Sequence, residues 1–222
     1  MTYTSSPLRL LTVMTASLFL IAVWLLFELG PSKVFAALPV IETQNQPTIG
    51  PTTATIHIVA FEEPRCTECR HYHEEIFPRI KREFIDTGKV RYTSIVVSFL
   101  PHSMELADAM ACVYHQSPDS VNESLYFALM DRLYRYQPTD ELEIKINALK
   151  LAKETSPKIN LKQLSQCIEK QSYRPFIIRN TEYARSVMGG QIRTPTIYVN
   201  GMKLKGVSYE EITRAIEQLD KS

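Results

Sequence analysis

Two cysteines three residues apart, Cys66 and Cys69, stand where an apolar strand-like run gives way to a helical pattern. The run Thr55-Ile56-His57-Ile58-Val59-Ala60-Phe61 leads through Glu62-Glu63-Pro64-Arg65 into Cys66-Thr67-Glu68-Cys69, and the helix pattern starts with no gap. Positions i and i+3 share a helix face, so the two sulfurs can approach each other. The first sits where unpaired backbone N–H groups and the helix dipole favour negative charge, which lowers its thiol pKa. A thiolate placed so attacks disulfides, and a neighbouring thiol resolves the mixed disulfide that results. The pattern predicts Cys66 as nucleophile and Cys69 as resolving thiol; the plain alternative is a structural bridge or two idle thiols.

These residues resemble the thioredoxin superfamily, and within it the exported disulfide oxidoreductases of the DsbA type. A second motif supports the likeness. Thr194-Pro195, opening Thr196-Ile197-Tyr198-Val199-Asn200-Gly201, is similar to the family's cis-proline loop, which faces the cysteine pair. The resemblance implies an α/β thioredoxin fold with an inserted all-helical domain, over a core from Thr55 to Leu219. It also implies that Thr194, Pro195, Thr67 and Glu68 bind substrate or tune the pair. A cis Pro195 removes a donor and leaves neighbouring backbone groups to pair with a substrate strand.

Two departures from the family pattern bear on chemistry. Where Glu68 stands, DsbA-type proteins often carry a histidine that stabilises the reduced thiolate. An acid there disfavours the thiolate, helped by Glu62 and Glu63 and opposed by Arg65, Arg70 and His71, so a moderate potential is expected. Ala60, six residues before Cys66, stands where the superfamily often buries an acid that handles the resolving thiol's proton. Here that proton is expected to move to solvent or to Glu62 or His73. Cys66, Cys69 and His73 share a helix face, but three ligands from one helix rarely converge on a metal without others, so no metal and no cofactor is assigned. His71 points elsewhere, and both histidines read as solvated or packed. The resemblance also suggests a second, non-catalytic pair, Cys112 and Cys167; unjoined, they would pack as small buried hydrophobes.

The remaining chain orders itself around this unit. Over 222 residues the formal net charge is +1 with no basic block, so nucleic-acid binding has no electrostatic support. Four cysteines are too few for a disulfide-built scaffold. Leu10 to Phe27 is uncharged and apolar, roughly 27 Å as a helix at 1.5 Å per residue. It exceeds a signal-peptide core of about 7–15 residues. Arg9 points the N-terminus weakly to the cytoplasm. Val34-Phe35-Ala36 also offers cleavage before Ala37, so residues 1–37 read as a cytoplasmic tip plus transmembrane anchor or as a signal peptide. Either way the domain is exported, to the periplasm or extracytoplasmic face, anchored in the inner membrane or released. Residues 38–53 read as a linker, 54–100 and 190–222 as the thioredoxin-like domain, and 101–189 as the helical insertion.

Ile76, Phe77, Ile80 and Phe84 form one helical stripe that Pro78 should kink, closed by Gly88, and Val90 to Val97 reads as a parallel strand. Five helices follow: one with Met104, Ala107, Ala111 and Tyr114; one with Leu125, Leu129 and Leu133; one with Leu142, Ile146 and Leu149; one with Leu161, Leu164 and Ile168; and Phe176 to Val187. Tyr126, Phe127, Tyr134 and Tyr136 read as core or as a groove lining. Asn200-Gly201 between Thr196–Val199 and Met202–Lys205 marks a hairpin. Ser208 and Glu211 form a capping box for a last helix with Ile212, Ala215, Ile216 and Leu219 inward.

The expected activity is thiol–disulfide exchange on unfolded or partly folded exported proteins, and the resemblance implies an oxidase serviced by a quinone-linked membrane partner. A reductase or isomerase fed by an electron donor is the alternative, and a metal-binding or chaperone module the competing class. No dimerisation segment precedes the redox motif, so a monomer is expected.

Overall fold

The computed structural model describes residues 40–116, 123–136 and 141–220, with backbone alone over 141–146. The apolar run Leu10–Phe27 and the cleavage candidate before Ala37 lie outside these residues, as do the side chains of Leu142 and Ile146. Among the described residues no helix is long and apolar enough to cross a membrane.

Five strands form one sheet in the order β1-β3-β2-β4-β5: β1 Thr48–Ile49, β2 Ile56–Glu62, β3 Val90–Val96, β4 Thr196–Val199 and β5 Met202–Lys203. β2 lies at the centre, parallel to β3 from Ile56↔Val90 to Glu62↔Val96 and antiparallel to β4. A central strand covered on both faces reads as a nearly continuous apolar run, as β2 does. Ile56, Ile58 and Ala60 enter the larger core, while Val59 and Phe61 enter a second one with Ile95, Tyr198 and Ala184.

Between β2 and β3 runs helix α1, an α-helical turn Thr67–His71, a π turn Tyr72–Ile76, an α turn Phe77–Ile80 and a π turn Lys81–Ile85. Pro78 lacks an N–H and its ring crowds the carbonyl four residues back, so the π turn just before it widens the helix instead of breaking it. The end of α1 follows its glycine. Gly88 has φ +80°, its N–H reaches the Ile85 carbonyl at 3.0 Å, and the Lys89 N–H reaches Phe84 O at 3.0 Å.

The helical insertion comprises α2 Ser103–Tyr114, α3 Glu123–Tyr136, α4 Glu141–Thr155, α5 Leu161–Glu169 and α6 Arg174–Val187. α2 and α3 serve two cores. Leu106, Met110, Tyr126, Met130 and Leu133 pack on the sheet side, whereas Ala109, Cys112, Val113 and Leu129 pack with α4 and α5. The bond between Cys112 and Cys167 ties α2 to α5 in that second cluster. The expected hairpin forms at Asn200-Gly201, both at positive φ. Its second strand ends at Lys203, two residues before the expected Lys205.

Helix α7, Tyr209–Asp220, is capped by the Ser208 hydroxyl, which accepts from the Glu211 N–H at 3.2 Å. The capping box is only half built, because the Glu211 carboxylate accepts from the Lys205 N–H instead.

The expected linker over residues 38–53 needs correction. Thr48–Ile49 pairs antiparallel with β3, Ile41 is buried, Gln46 bonds Asn180 at 2.7 Å and Thr48 bonds Thr93 at 2.7 Å. Two residues of strand are too short to show an alternating pattern, and the polar side chains that dock here read as solvated. Of the four aromatics read as core or groove lining, Tyr126, Phe127 and Tyr134 are buried, while Tyr136 is exposed and outside the core.

The disulfide closes a chain separation of 55 residues, which limits the unfolded ensemble. Replacing both Cys112 and Cys167 by serine should lower unfolding stability by up to about 4 kcal/mol in urea titrations. An unchanged midpoint would show that the bond carries none of the stability.

Candidate active site

β2 is buried to its last residue and delivers Glu62 and Glu63 into the interior, both 0 % exposed. The chain turns at Pro64-Arg65, with the Cys66 N–H bonded to Glu63 O at 3.0 Å, and α1 begins. Cys66 is the N-cap of α1: its backbone is extended and its sulfur accepts from the Cys69 N–H at 3.4 Å. The sulfur is half-buried, whereas Cys69 is fully buried, and the two are not joined in a disulfide. Facing Cys66 is the loop before β4, where the Thr194-Pro195 peptide is cis and the Thr194 carbonyl lies 3.2 Å from the sulfur. A cleft of about 220 Å³ beside the pair is lined by Glu68, His71, Tyr72, Thr194, Pro195 and Val207 among others.

The electrostatics separate the two thiols. Cys66 is lowered from 9.0 to about 6, first by the Cys69 thiol donating to it, then, against the cost of burial, by the Thr194 side chain and the N–H groups of Cys69 and Glu68. Burial pushes Cys69 well above its usual range, and the neighbouring sulfur and the Glu62 charge add to this. Near neutral pH the arrangement is one thiolate and one thiol bonded to it. That chemistry is nucleophilic attack on a disulfide by Cys66, followed by resolution by Cys69.

A family model described as thioredoxin matches residues 42–218. The chain is 31 % identical over 180 residues to disulfide bond formation protein D of Bacillus subtilis (strain 168), covering 79 % of this chain and 77 % of that protein. Among solved structures it is similar to Chlamydia trachomatis DsbA, with 34 % identity and a TM-score of 0.75 over 82 % of this chain and 94 % of that one. It is also similar to oxidised BdbD from Bacillus subtilis, with 28 % identity and a TM-score of 0.72 over 82 % and 96 %. This chain belongs to the thioredoxin superfamily and is a DsbA-like thiol–disulfide oxidoreductase.

Several residues of this oxidoreductase behave differently from what their types suggest. Glu68 and Thr67 are exposed, and Glu68 acts on Cys66 through its backbone N–H, which stabilises the thiolate. The basic side chains expected to oppose it are engaged: Arg65 donates to the Pro101 carbonyl, and Arg70 pairs with Glu74 at 3.0 Å. Hydrogen-bond donors, more than side-chain charge, set this thiolate.

Ala60 lies in the core, so no acid stands there. Two positions later Glu62 is bonded to His73, which is also buried, and Glu62 accepts from Ser94 at 2.6 Å. His73 therefore faces a carboxylate, and His71 is exposed beside the cleft. Burial pushes Glu63 up to about 6 against hydrogen bonds from the Ser103 side chain and the Arg65 N–H. The contacts of Ser94 with Glu62 and of Tyr134, whose hydroxyl donates to Glu63 O at 3.3 Å, are not legible in the sequence because these residues lie on β3 and α3, far along the chain. The burial of Glu62 has a signal in the sequence: it directly abuts a run apolar enough for a central strand, and Glu63 follows it.

The lowered Cys66 pKa predicts a pH-dependent gap between redox states. Its folded value lies below the unfolded one, so its contribution to the reduced protein is complete above 9.0 and is lost as pH falls through about 6. Burial, the main influence on Glu63, acts in both redox states and largely cancels. Unfolding of reduced and oxidised protein across this window should show the reduced form gaining stability relative to the oxidised form as pH rises. A constant gap would mean that Cys66 is not a stabilised thiolate.

Proposed function

We propose that the protein is an exported oxidase of moderate potential that places disulfides in secreted or envelope proteins through Cys66 and Cys69. The observation that carries this reading is the half-buried Cys66 sulfur facing the Thr194-Pro195 loop, with a buried thiol behind it. In the oxidised enzyme a substrate thiolate attacks Cys66 Sγ. The Cys66–Cys69 bond breaks, Cys69 leaves with the electron pair and takes a proton, and a mixed disulfide remains on Cys66. The substrate's second thiol, as thiolate, attacks its own sulfur in that bond and expels Cys66 as thiolate. Substrate is oxidised and the enzyme pair reduced by two electrons. A disulfide on a quinone-linked membrane partner then accepts those electrons.

The potential follows from the thiolate. Stabilising the reduced form makes a pair more oxidising: DsbA's cysteine, near pKa 3.5, goes with about −120 mV, and thioredoxin's, near 7, with about −270 mV. A Cys66 value of about 6 falls between. It also favours, as a second reading, the reverse direction as a reductase or isomerase serviced by an electron donor.

Thr194 and Pro195 present backbone to an extended substrate segment, with Thr67 and Glu68 on the opposite rim. Leu10–Phe27 directs the domain out of the cytoplasm as an anchor or cleaved signal, and Cys112–Cys167 suits an oxidising compartment. The enzyme works as a monomer.

Oxidative refolding of a reduced substrate should fall by roughly two orders of magnitude or more in Cys66→Ser. Cys69→Ser should instead accumulate a substrate–enzyme mixed disulfide on Cys66, visible on non-reducing gels. Refolding activity that survives Cys66→Ser would sink the proposal.

A further inference from the structure

One buried ionisable pair has no place in the exchange steps so far. Glu62, at the end of β2, and His73, on α1, are 0 % and 1 % exposed, and His73 Nε2 is bonded to Glu62 Oε1. An imidazole nitrogen and a carboxylate oxygen in contact need a proton between them, so the pair always carries at least one. The carboxylate's other oxygen accepts from Ser94 on β3, and Ser94 lies 3.3 Å from the Tyr126 hydroxyl on α3. The imidazole stacks on Tyr134, centroids 4.5 Å apart and planes 9° from parallel. Its Nδ1 is buried with no hydrogen-bond partner among the described residues. The pair is thus held rigidly on one side, leaving one nitrogen able to gain or lose a proton.

Cys69 is the group that needs such a neighbour. It is sealed from solvent and must gain a proton when the disulfide opens and lose it when the disulfide re-forms. His73 follows it by four positions in the same helix, on the same face, where neighbouring side chains meet. Glu62 is close enough for its charge to act on Cys69. Facing the cluster are Glu63 from the turn after β2, Tyr72 and both cysteines from α1, Tyr92 from β3, and Tyr126 and Tyr134 from α3. Burial holds all four tyrosines well above their usual range, which leaves Glu63 as the competing acid.

We propose that the Glu62–His73 pair is the proton store of the resolving thiol, holding on His73 Nδ1 the proton that Cys69 takes and returns in each cycle. This rests on the exchange reaction proposed above. As substrate thiolate attacks Cys66, the S–S electrons go to Cys69, which is protonated from the pair. The pair is left as neutral imidazole and carboxylate. When Cys66 thiolate attacks the disulfide of the electron acceptor, Cys69 returns its proton to the pair and attacks Cys66. The acceptor's two sulfurs leave as thiolates. In the present reduced state the Cys69 thiol donates to Cys66, and His73 Nδ1 has no hydrogen-bond partner among the described residues.

The test is stopped-flow reduction of the oxidised full chain by dithiothreitol between about pH 5 and 9, each rate divided by the reductant's thiolate concentration. The corrected wild-type rate should fall with rising pH through one ionisation as the stored proton is lost. His73→Gln should abolish that step, Glu62→Gln should shift it to lower pH, and both should react roughly tenfold or more slowly near neutral pH. Circular dichroism and an intact Cys112–Cys167 bond verify folding, and either folded variant suffices. A pH-independent corrected rate in the wild type overturns the proposal without any variant. So does an ionisation that persists unchanged in both variants, which would assign it to another group such as Glu63 or His71. In those cases exchange at Cys66 still proceeds and the proposed function stands; no exchange with dithiothreitol at Cys66 would sink both.

Discussion

The structure depends on where one sulfur sits relative to one helix start. β2 is buried on both faces and ends inside the protein, so the first turn of α1 begins in a partly desolvated place. There the N–H groups that every helix leaves unpaired at its start have few waters to satisfy them. The Cys66 sulfur takes up part of that capacity, and the Cys69 thiol and the Thr194 side chain add to it. Desolvation works against the thiolate, but the directed donors outweigh it. The same burial acts on Cys69 without comparable donors, so two identical side chains three residues apart acquire opposite protonation states.

The surrounding fold keeps that arrangement in register. The parallel pairing of β2 with β3 places Ser94 opposite Ala60, from where it reaches the Glu62 carboxylate. α3 crosses above it, laying Tyr134 on His73 and Tyr126 near Ser94. The inserted helices are therefore more than a cover. α2 and α3 close the region behind the cysteine pair while anchoring a second core through the Cys112–Cys167 bond. A buried carboxylate and imidazole cost free energy to desolvate, and mutual bonding offsets that cost only when their remaining atoms are also satisfied. Here one imidazole nitrogen is not satisfied among the described residues.

Much of this was legible in the chain itself. Local signals have local causes: the cysteine spacing at a strand–helix junction, Gly88 at the end of α1, Asn200-Gly201 in the hairpin and the five insertion helices all read directly. What escaped was set by contacts distant in sequence. Thr48–Ile49 becomes a strand only because β3 offers an edge, and Gln46 docks only because α6 carries Asn180. Glu211 gives its carboxylate to Lys205, which sequence spacing does not place nearby. The reading of Glu68 failed for another reason. Residue type gives it a charge that opposes the thiolate, whereas its carboxylate is exposed and its backbone N–H acts on the sulfur. The moderate potential proposed for the pair rests on the number and kind of donors around Cys66.

The central claim is that those donors stabilise the Cys66 thiolate to an intermediate degree. The direct measurement is the equilibrium reduction potential of the Cys66–Cys69 pair against glutathione, with Cys112 and Cys167 replaced by serine. The account predicts a value between about −270 and −120 mV, clear of both limits. A value at about −120 mV would mean stabilisation far beyond these donors, and one at about −270 mV would mean a pair built to stay reduced; either would contradict it.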